Sequence, residues 1–143
     1  VLRYTLQSNE SQSVSLREEM EFASAYIFLL KMRFENNLQF DIQIAKSLED
    51  YRLPPMAVQV LIENAVKHNE ISDRKPLTIH IVTNNEGYLS VSNDIQPKRT
   101  AASGTGIGLV NLAKRYRLLF KQDIQITEDK EFSVCIPLID EVQ

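Results

Sequence analysis

Cysteine is almost absent. Cys135 stands alone, so no disulfide closes within the chain, and a lone thiol fits a reducing compartment. Glycine and proline are scarce, 4 and 5 among 143 residues, which excludes collagen-like repeats and proline- or glycine-rich disorder. Positive charge is not in excess: 16 Lys and Arg face 19 Asp and Glu, a net charge of −3. A phosphate backbone attracts basic faces, so no nucleic acid partner is expected. No apolar run approaches the ~20 residues of a membrane helix, and no signal-peptide pattern is present. An initiator Met is missing too. Val1-Leu2-Arg3-Tyr4 is expected to be a cut into a longer chain.

What is present is an ordinary globular composition, 43% hydrophobic and 24% charged, at a length that suits one domain. Ser15-Leu16-Arg17-Glu18 has the form of a capping box, with Val14 before it as a hydrophobic staple. Leu16, Met20, Ala23, Ile27, Leu30 and Phe34 then recur at steps of four and three, the face of a helix that ends at Asn36-Asn37. Leu38, Phe40, Ile42 and Ile44 alternate with polar residues as a strand does. Pro54-Pro55 marks the start of a second helix, whose buried stripe is Val58, Leu61, Ile62 and Ala65. Two strands follow, around Leu77, Ile79, Ile81 and around Leu89, Val91, joined by a turn at Asn84 to Gly87. A polar stretch leads to a third helix on Ile107, Leu109, Leu112, Tyr116 and Leu119. Two last strands carry Ile124, Ile126 and Phe132, Val134, Ile136, Leu138. Every strand has one apolar face. The expected fold is a two-layer α/β sandwich, a mixed sheet of about five strands with helices on one face.

Three pieces carry chemistry. On the second helix Asn64, Lys67 and His68 stand at i, i+3 and i+4, outside the apolar stripe. An amide oxygen, an ammonium and an imidazole in one row suit a hard metal ion and a polyphosphate, Mg²⁺ above all; they also suit a plain solvated face. Ser103-Gly104-Thr105-Gly106-Ile107-Gly108-Leu109 runs into a helical pattern. Its glycines permit close backbone approach, and the helix start offers free amides to phosphate, or simply a capped turn. No Gly-Lys-Ser/Thr follows, so it is not a Walker loop, and it lacks the strand-first setting and sixth-place glycine of a dinucleotide fingerprint. Asn93 ends a strand in phase with Leu89 and Val91, so it points toward the helix layer.

Ordered in this way, the pieces resemble the Bergerat (GHKL) ATP-binding fold, and more closely the LytS/YehU-like sensor histidine kinases. Leu16, Glu19, Tyr26 and Arg33-Phe34 stand where that family has a Leu-x-x-Glu, a Tyr and an Arg-Phe. Pro54-Pro55, Glu63-Asn64-Ala65 and Lys67-His68 match its N box. Ser103 to Leu109, with Asn111 and Arg115, match its G2 box, and Phe132 to Leu138 its closing strand. The resemblance implies that residues 13–143 are an ATP-binding catalytic domain and that residues 1–12 end a helical region leading from a dimerisation and phosphoacceptor domain. It implies ATP and Mg²⁺ as cofactors, with Asn64 on the metal and Lys67 and His68 at the phosphates. Asn93, Gly104, Thr105, Gly106, Ile107, Gly108 and Leu109 would bind the nucleotide, the glycines forming the hinge and base of a lid over residues ~95 to ~105. It further implies a histidine kinase, homodimeric at full length, on the cytoplasmic side of a membrane-anchored protein, with a response regulator of LytTR type as partner.

This sequence departs from the pattern in places. The superfamily's Asp-x-Gly, whose carboxylate accepts the adenine amino group, is here Asn93-Asp94-Ile95. An Asn oxygen still accepts that bond but without the charge, a loss of roughly 1 kcal/mol. Lys130 stands where many relatives have Thr, and Val60 where many kinases have an earlier Asn. Val60 also counts against an ATPase of the gyrase or MutL kind, which needs a Glu there. Neither His68 nor His80 has the context of a phosphoacceptor, and His80 is expected on the open sheet face. The alternative to a working kinase domain is a degenerate module of the same fold that serves in assembly.

Overall fold

The structure is a computed structural model that describes residues 13–98 and 107–140. Seven strands and three α-helices are present among them: β1 (Val14–Ser15), α1 (Leu16–Phe34), β2 (Leu38–Gln43), β3 (Arg52–Leu53), α2 (Ala57–His68), β4 (Leu77–Thr83), β5 (Tyr88–Asp94), α3 (Ile107–Phe120), β6 (Gln125–Glu128) and β7 (Glu131–Pro137). Five strands form one sheet in the order β2-β4-β5-β7-β6. β2 runs parallel to β4 and every other pair is antiparallel, so the sheet is mixed, as expected. β1 and β3 make a separate antiparallel ribbon.

The period-two pattern sets which face is covered. Leu77, Ile79 and Ile81 of β4, Leu89 and Val91 of β5, and Val134 and Ile136 of β7 are buried with Leu16, Ala23, Ile27, Leu30, Val58, Leu61, Ile62, Ala65, Leu112 and Tyr116 of the helices. α2 packs between α1 and α3 and lies over β5. The other sheet face is largely polar, and no helix covers it among the described residues. There His80 Nδ1 meets Asp41 Oδ2 at 2.9 Å across the parallel β2–β4 register, so His80 lies on the open face as its phase predicts. That bond is the main reason the Asp41 carboxyl titrates below its ordinary range.

The capping box forms as read. Ser15 Oγ accepts from the Glu18 amide at 3.1 Å, and the Ser15 amide donates to Glu18 Oε1 at 3.0 Å. The backbone bond from Ser15 holds the Glu18 carboxyl below the ordinary range. Gly87 closes the β4–β5 turn at φ 81°, the left-handed region that favours glycine. Two local expectations shift. α2 begins at Ala57, after both prolines, because Met56 turns the chain at φ 70°. Ile126 is half exposed, since β6 is the edge strand and all four of its residues lie open.

Met56 contributes no side-chain cap to α2. The cap comes from α1 instead. Glu19, 2% exposed, accepts from the Met56 amide at 3.0 Å on one oxygen and from the Val58 amide at 2.9 Å on the other. A carboxylate there satisfies orphan donors and meets the positive end of the helix. Burial still dominates and pushes the Glu19 carboxyl up, while the amide bonds and the charge of Arg115 pull it down. Arg115 of α3 also donates to the Pro55 carbonyl at 2.9 Å, so the turn before α2 is clamped from both neighbouring helices. Tyr116 anchors α3 to the sheet by donating its buried hydroxyl to the Pro137 carbonyl at 2.9 Å.

Candidate nucleotide site

The site is built around α2. Its buried arc of Val58, Leu61, Ile62 and Ala65 faces the sheet, which leaves two flanks and a back. Val60, Asn64 and His68 follow at four-residue steps along one flank. That flank meets α3: a Cβ added at Gly108 would stand 3.4 Å from Val60 Cγ1. Asn64 and His68 are half-buried there. Lys67 is exposed on the back of the helix and lines a cleft of about 1260 Å³ on the other flank, toward α1. The three residues expected in one row therefore divide. Asn64 and His68 lie on the α3 side, and Lys67 reaches the α1 side as well.

Asn93 takes the predicted direction. It sits at the end of β5, 1% exposed, on the face covered by helices. Its Nδ2 donates to the Asp94 carbonyl at 2.8 Å. Asp94, out of phase, is exposed on the other face. Leu109 packs against the core, and Ile107 is exposed at the start of α3. Gly108 lies in the first turn of α3 and is not among the residues of positive φ, so its backbone is within reach of any residue. Gly104, Thr105 and Gly106 lie outside the described residues.

Two features escaped the sequence reading. The expected lid from ~95 begins with an anchored segment. Gln96 donates its amide to Asn69 Oδ1 at 2.7 Å and accepts the Glu70 amide at 2.6 Å. Its side chain donates to the carbonyls of Glu70 and Lys75 at 3.0 and 3.2 Å. Asn69, 5% exposed, also donates to the Ala65 carbonyl at 2.8 Å and so closes the end of α2. No pattern in the sequence marked Asn69 or Gln96; only their contact across 27 positions gives them a role.

The second is the cleft. Tyr26, Arg33 and Phe34 of α1 form one wall, and Lys67, Arg74 and Lys98 add positive charge. The Arg33 guanidinium lies over the Phe34 ring, 4.7 Å from its centre. Burial raises the Tyr26 hydroxyl above its ordinary range. The residues that stood out together on α1 thus have separate tasks: Leu16 in the core, Glu19 capping α2, and Tyr26, Arg33 and Phe34 on the cleft. Glu63 lines the cleft too and accepts from Gln59 Nε2 at 3.1 Å.

Among the described residues no three His, Cys, Asp or Glu side chains converge on a metal position. Asn64 offers a single neutral oxygen. That suits Mg²⁺, which keeps waters and substrate phosphates as its other ligands, better than a metal held in an all-protein cage.

Comparison with known proteins agrees with this architecture. A family model described as histidine kinase matches residues 1–38. The chain is 34% identical over 143 residues to a sensor protein LytS of Streptococcus mutans, covering 89% of this chain and 24% of the relative. It is 29% identical to the sensor histidine kinase BtsS of Escherichia coli K12, covering 82% of this chain and 21% of the relative. The chain thus spans about a quarter of the length of these curated relatives. Its fold is similar to the nucleotide-free catalytic domain of histidine kinase ThkA, with TM-score 0.60 at 18% identity over 90% of this chain and 99% of that one. It is also similar to the mycobacterial sensor histidine kinase MprB, with TM-score 0.53 at 12% identity over 90% of this chain and 97% of that one. With the buried asparagine of β5, the α2 row and this sheet in hand, the chain is similar in sequence to sensor histidine kinases of the LytS and BtsS kind and has the fold of a histidine kinase catalytic domain.

Proposed function

We propose that this domain binds Mg·ATP between α2, the end of β5 and the start of α3, and serves as the catalytic part of a histidine kinase. The observation that carries the reading is Asn93. A polar side chain is held almost fully inside the helix-covered face, with its amide nitrogen bonded to the Asp94 carbonyl. Burying an amide is costly without partners, and an acceptor at that depth suits the amino group of a purine. Asn64 would contribute the side-chain oxygen to the metal, and Lys67 and His68 would meet the phosphates. Leu109 would border the base, with Ile107, Gly108 and the preceding Gly104, Thr105 and Gly106 beside it. ATP supplies the γ-phosphoryl group, which goes to a histidine on a helical domain of the same protein outside this chain. The work of these residues is positioning and charge neutralisation. A dimeric, membrane-anchored parent and a LytTR-type response regulator complete the proposal.

A second reading has its own observation. Asn93-Asp94-Ile95 offers no carboxylate on the inner face, so a non-catalytic module of this fold would look the same there. Thermal unfolding separates the two. Ligand that binds only the folded state raises the melting temperature. Mg·ATP at millimolar concentration should raise it, and Asn64→Ala should remove most of the rise. An unmoved transition with both ATP and ADP selects the non-catalytic module.

A further inference from the structure

α1 has two apolar faces, and the core covers only one. Phe22, Phe28, Leu29 and Met32 are 54%, 64%, 62% and 65% exposed. At 100° per residue, these four and the exposed Ala25 fall on one side of the helix, opposite Leu16, Ala23, Ile27 and Leu30. The stripe runs about 15 Å, with the small Ala25 at its middle. Four large apolar side chains in one patch on a charged helix mark an interaction surface.

The charges beside the stripe say what covers it. One flank reads Arg17, Glu21, Lys31, Glu35. In an antiparallel pair of identical helices related by a two-fold axis, each flank faces itself. A two-fold near residue 26 sets Glu21 of one copy opposite Lys31 of the other, while Arg17 is paired with Glu49 and Asp50 of its own chain. On the other flank it sets Glu18 opposite Arg33. Every one of these pairs joins opposite charges. In the same register Phe22 meets Leu29 across the seam. A parallel pair, by contrast, sets the two flanks against each other and brings Lys31 level with Arg33, like against like.

We propose that this face of α1 is a self-complementary docking surface for a second copy of the chain, with the two α1 helices antiparallel. Such an interface is isologous, and near-antiparallel crossing at about 20° is an ordinary packing solution. The apolar area offered is on the order of 400 Å² per copy, about half of the ~800 Å² per partner in a standard interface. The isolated chain therefore pairs weakly. Tethering within a larger dimer raises the effective concentration to about millimolar and populates the contact.

Sedimentation of the 143-residue chain over a concentration series tests this. The wild type should show weak monomer–dimer exchange. Leu29→Asp, on the solvent side of α1, should abolish it with the thermal transition unchanged. Glu21→Lys and Lys31→Glu should each weaken it at least fivefold, because each places like charges together. An equimolar mixture of those two variants should recover association as a heterodimer, which only the antiparallel register explains. A chain monomeric at millimolar concentration overturns the proposal. So does self-association that ignores Leu29→Asp, or that is lost on removing residues 1–12 while the stripe is intact, or a mixture that associates no better than its components.

Discussion

Asn69, at the end of α2, accepts the backbone amide of Gln96 at 2.7 Å and thereby joins the second helix to the chain leaving β5. The bond of Asn69 to Ala65 is buried and that from Gln96 partly so, and removal of the side chain leaves the Gln96 amide and the Ala65 carbonyl without it. Asn69→Ala should cost about 2 kcal/mol in urea unfolding. Backbone amides at residues 95 to 97 should exchange with solvent faster in that variant, while those of β7 exchange as in the wild type. Equal acceleration throughout would mean that the joint has no local role.

Glu19 gives a pH dependence of known sign. Its carboxyl is raised in the fold, chiefly by burial. A raised acid contributes its full stability below the ordinary carboxylate range and loses it as pH rises through the higher folded value. Glu19→Gln cannot ionise. The stability of the wild type relative to that variant should therefore fall from about pH 4 upward. Taking the difference removes Glu18 and Asp41, whose lowered values act in the opposite sense. Glu19→Ala strips both amides of their acceptor and should cost about 2–3 kcal/mol. A difference curve that rises with pH would show that the amide bonds outweigh desolvation.

Asn93→Asp tests the proposed base contact. The carboxylate should tighten Mg·ATP about fivefold, the worth of a charged acceptor over a neutral one. The unliganded domain should become less stable, because an oxygen replaces the amide that donates to the Asp94 carbonyl. Titration calorimetry and thermal unfolding read the two effects separately. Tighter binding without the loss of stability would place the Asn93 amide differently.

Gly108 and Gly87 should respond oppositely to alanine. At Gly108 the new methyl meets Val60 at ordinary contact distance inside a helix, so Gly108→Ala should stabilise by up to about 1 kcal/mol. At Gly87 there is open space but φ is 81°, so Gly87→Ala should destabilise by about 1 kcal/mol. Measured in the same denaturant series, the pair separates backbone strain from crowding.

The sheet was readable because period-two alternation is local. Leu77, Ile79, Ile81 and Leu89, Val91, Asn93 needed only their own neighbours to show their face. The capping box at Ser15 was readable for the same reason. Glu19 was visible as a motif letter, but its partners are amides 37 and 39 positions away, and no local rule announces a cap borrowed from another helix. The α2 start was misplaced because proline suggests a first turn, whereas here Met56 supplies the bend. Ile126 carried the right phase, yet burial depends on what lies above a strand, and β6 is at the edge. At the site, the residue types and the direction of Asn93 were legible; the division of Lys67 from Asn64 and His68 between two flanks was not, because a helix row spans an angle wide enough to face two neighbours.

Arg52 is a junction. Its backbone exchanges both hydrogen bonds with Ile139, at 2.7 and 2.9 Å, while its guanidinium holds the Ser13 hydroxyl and carbonyl at 3.1 and 2.7 Å. Traction on the backbone at Ser13 is met first by this β ribbon, which ties it to the strand next to Ile139, before any of it can peel α1 from the core. Ser13 is thereby linked through Arg52 to Ile139, two residues beyond β7, as well as to the start of α1.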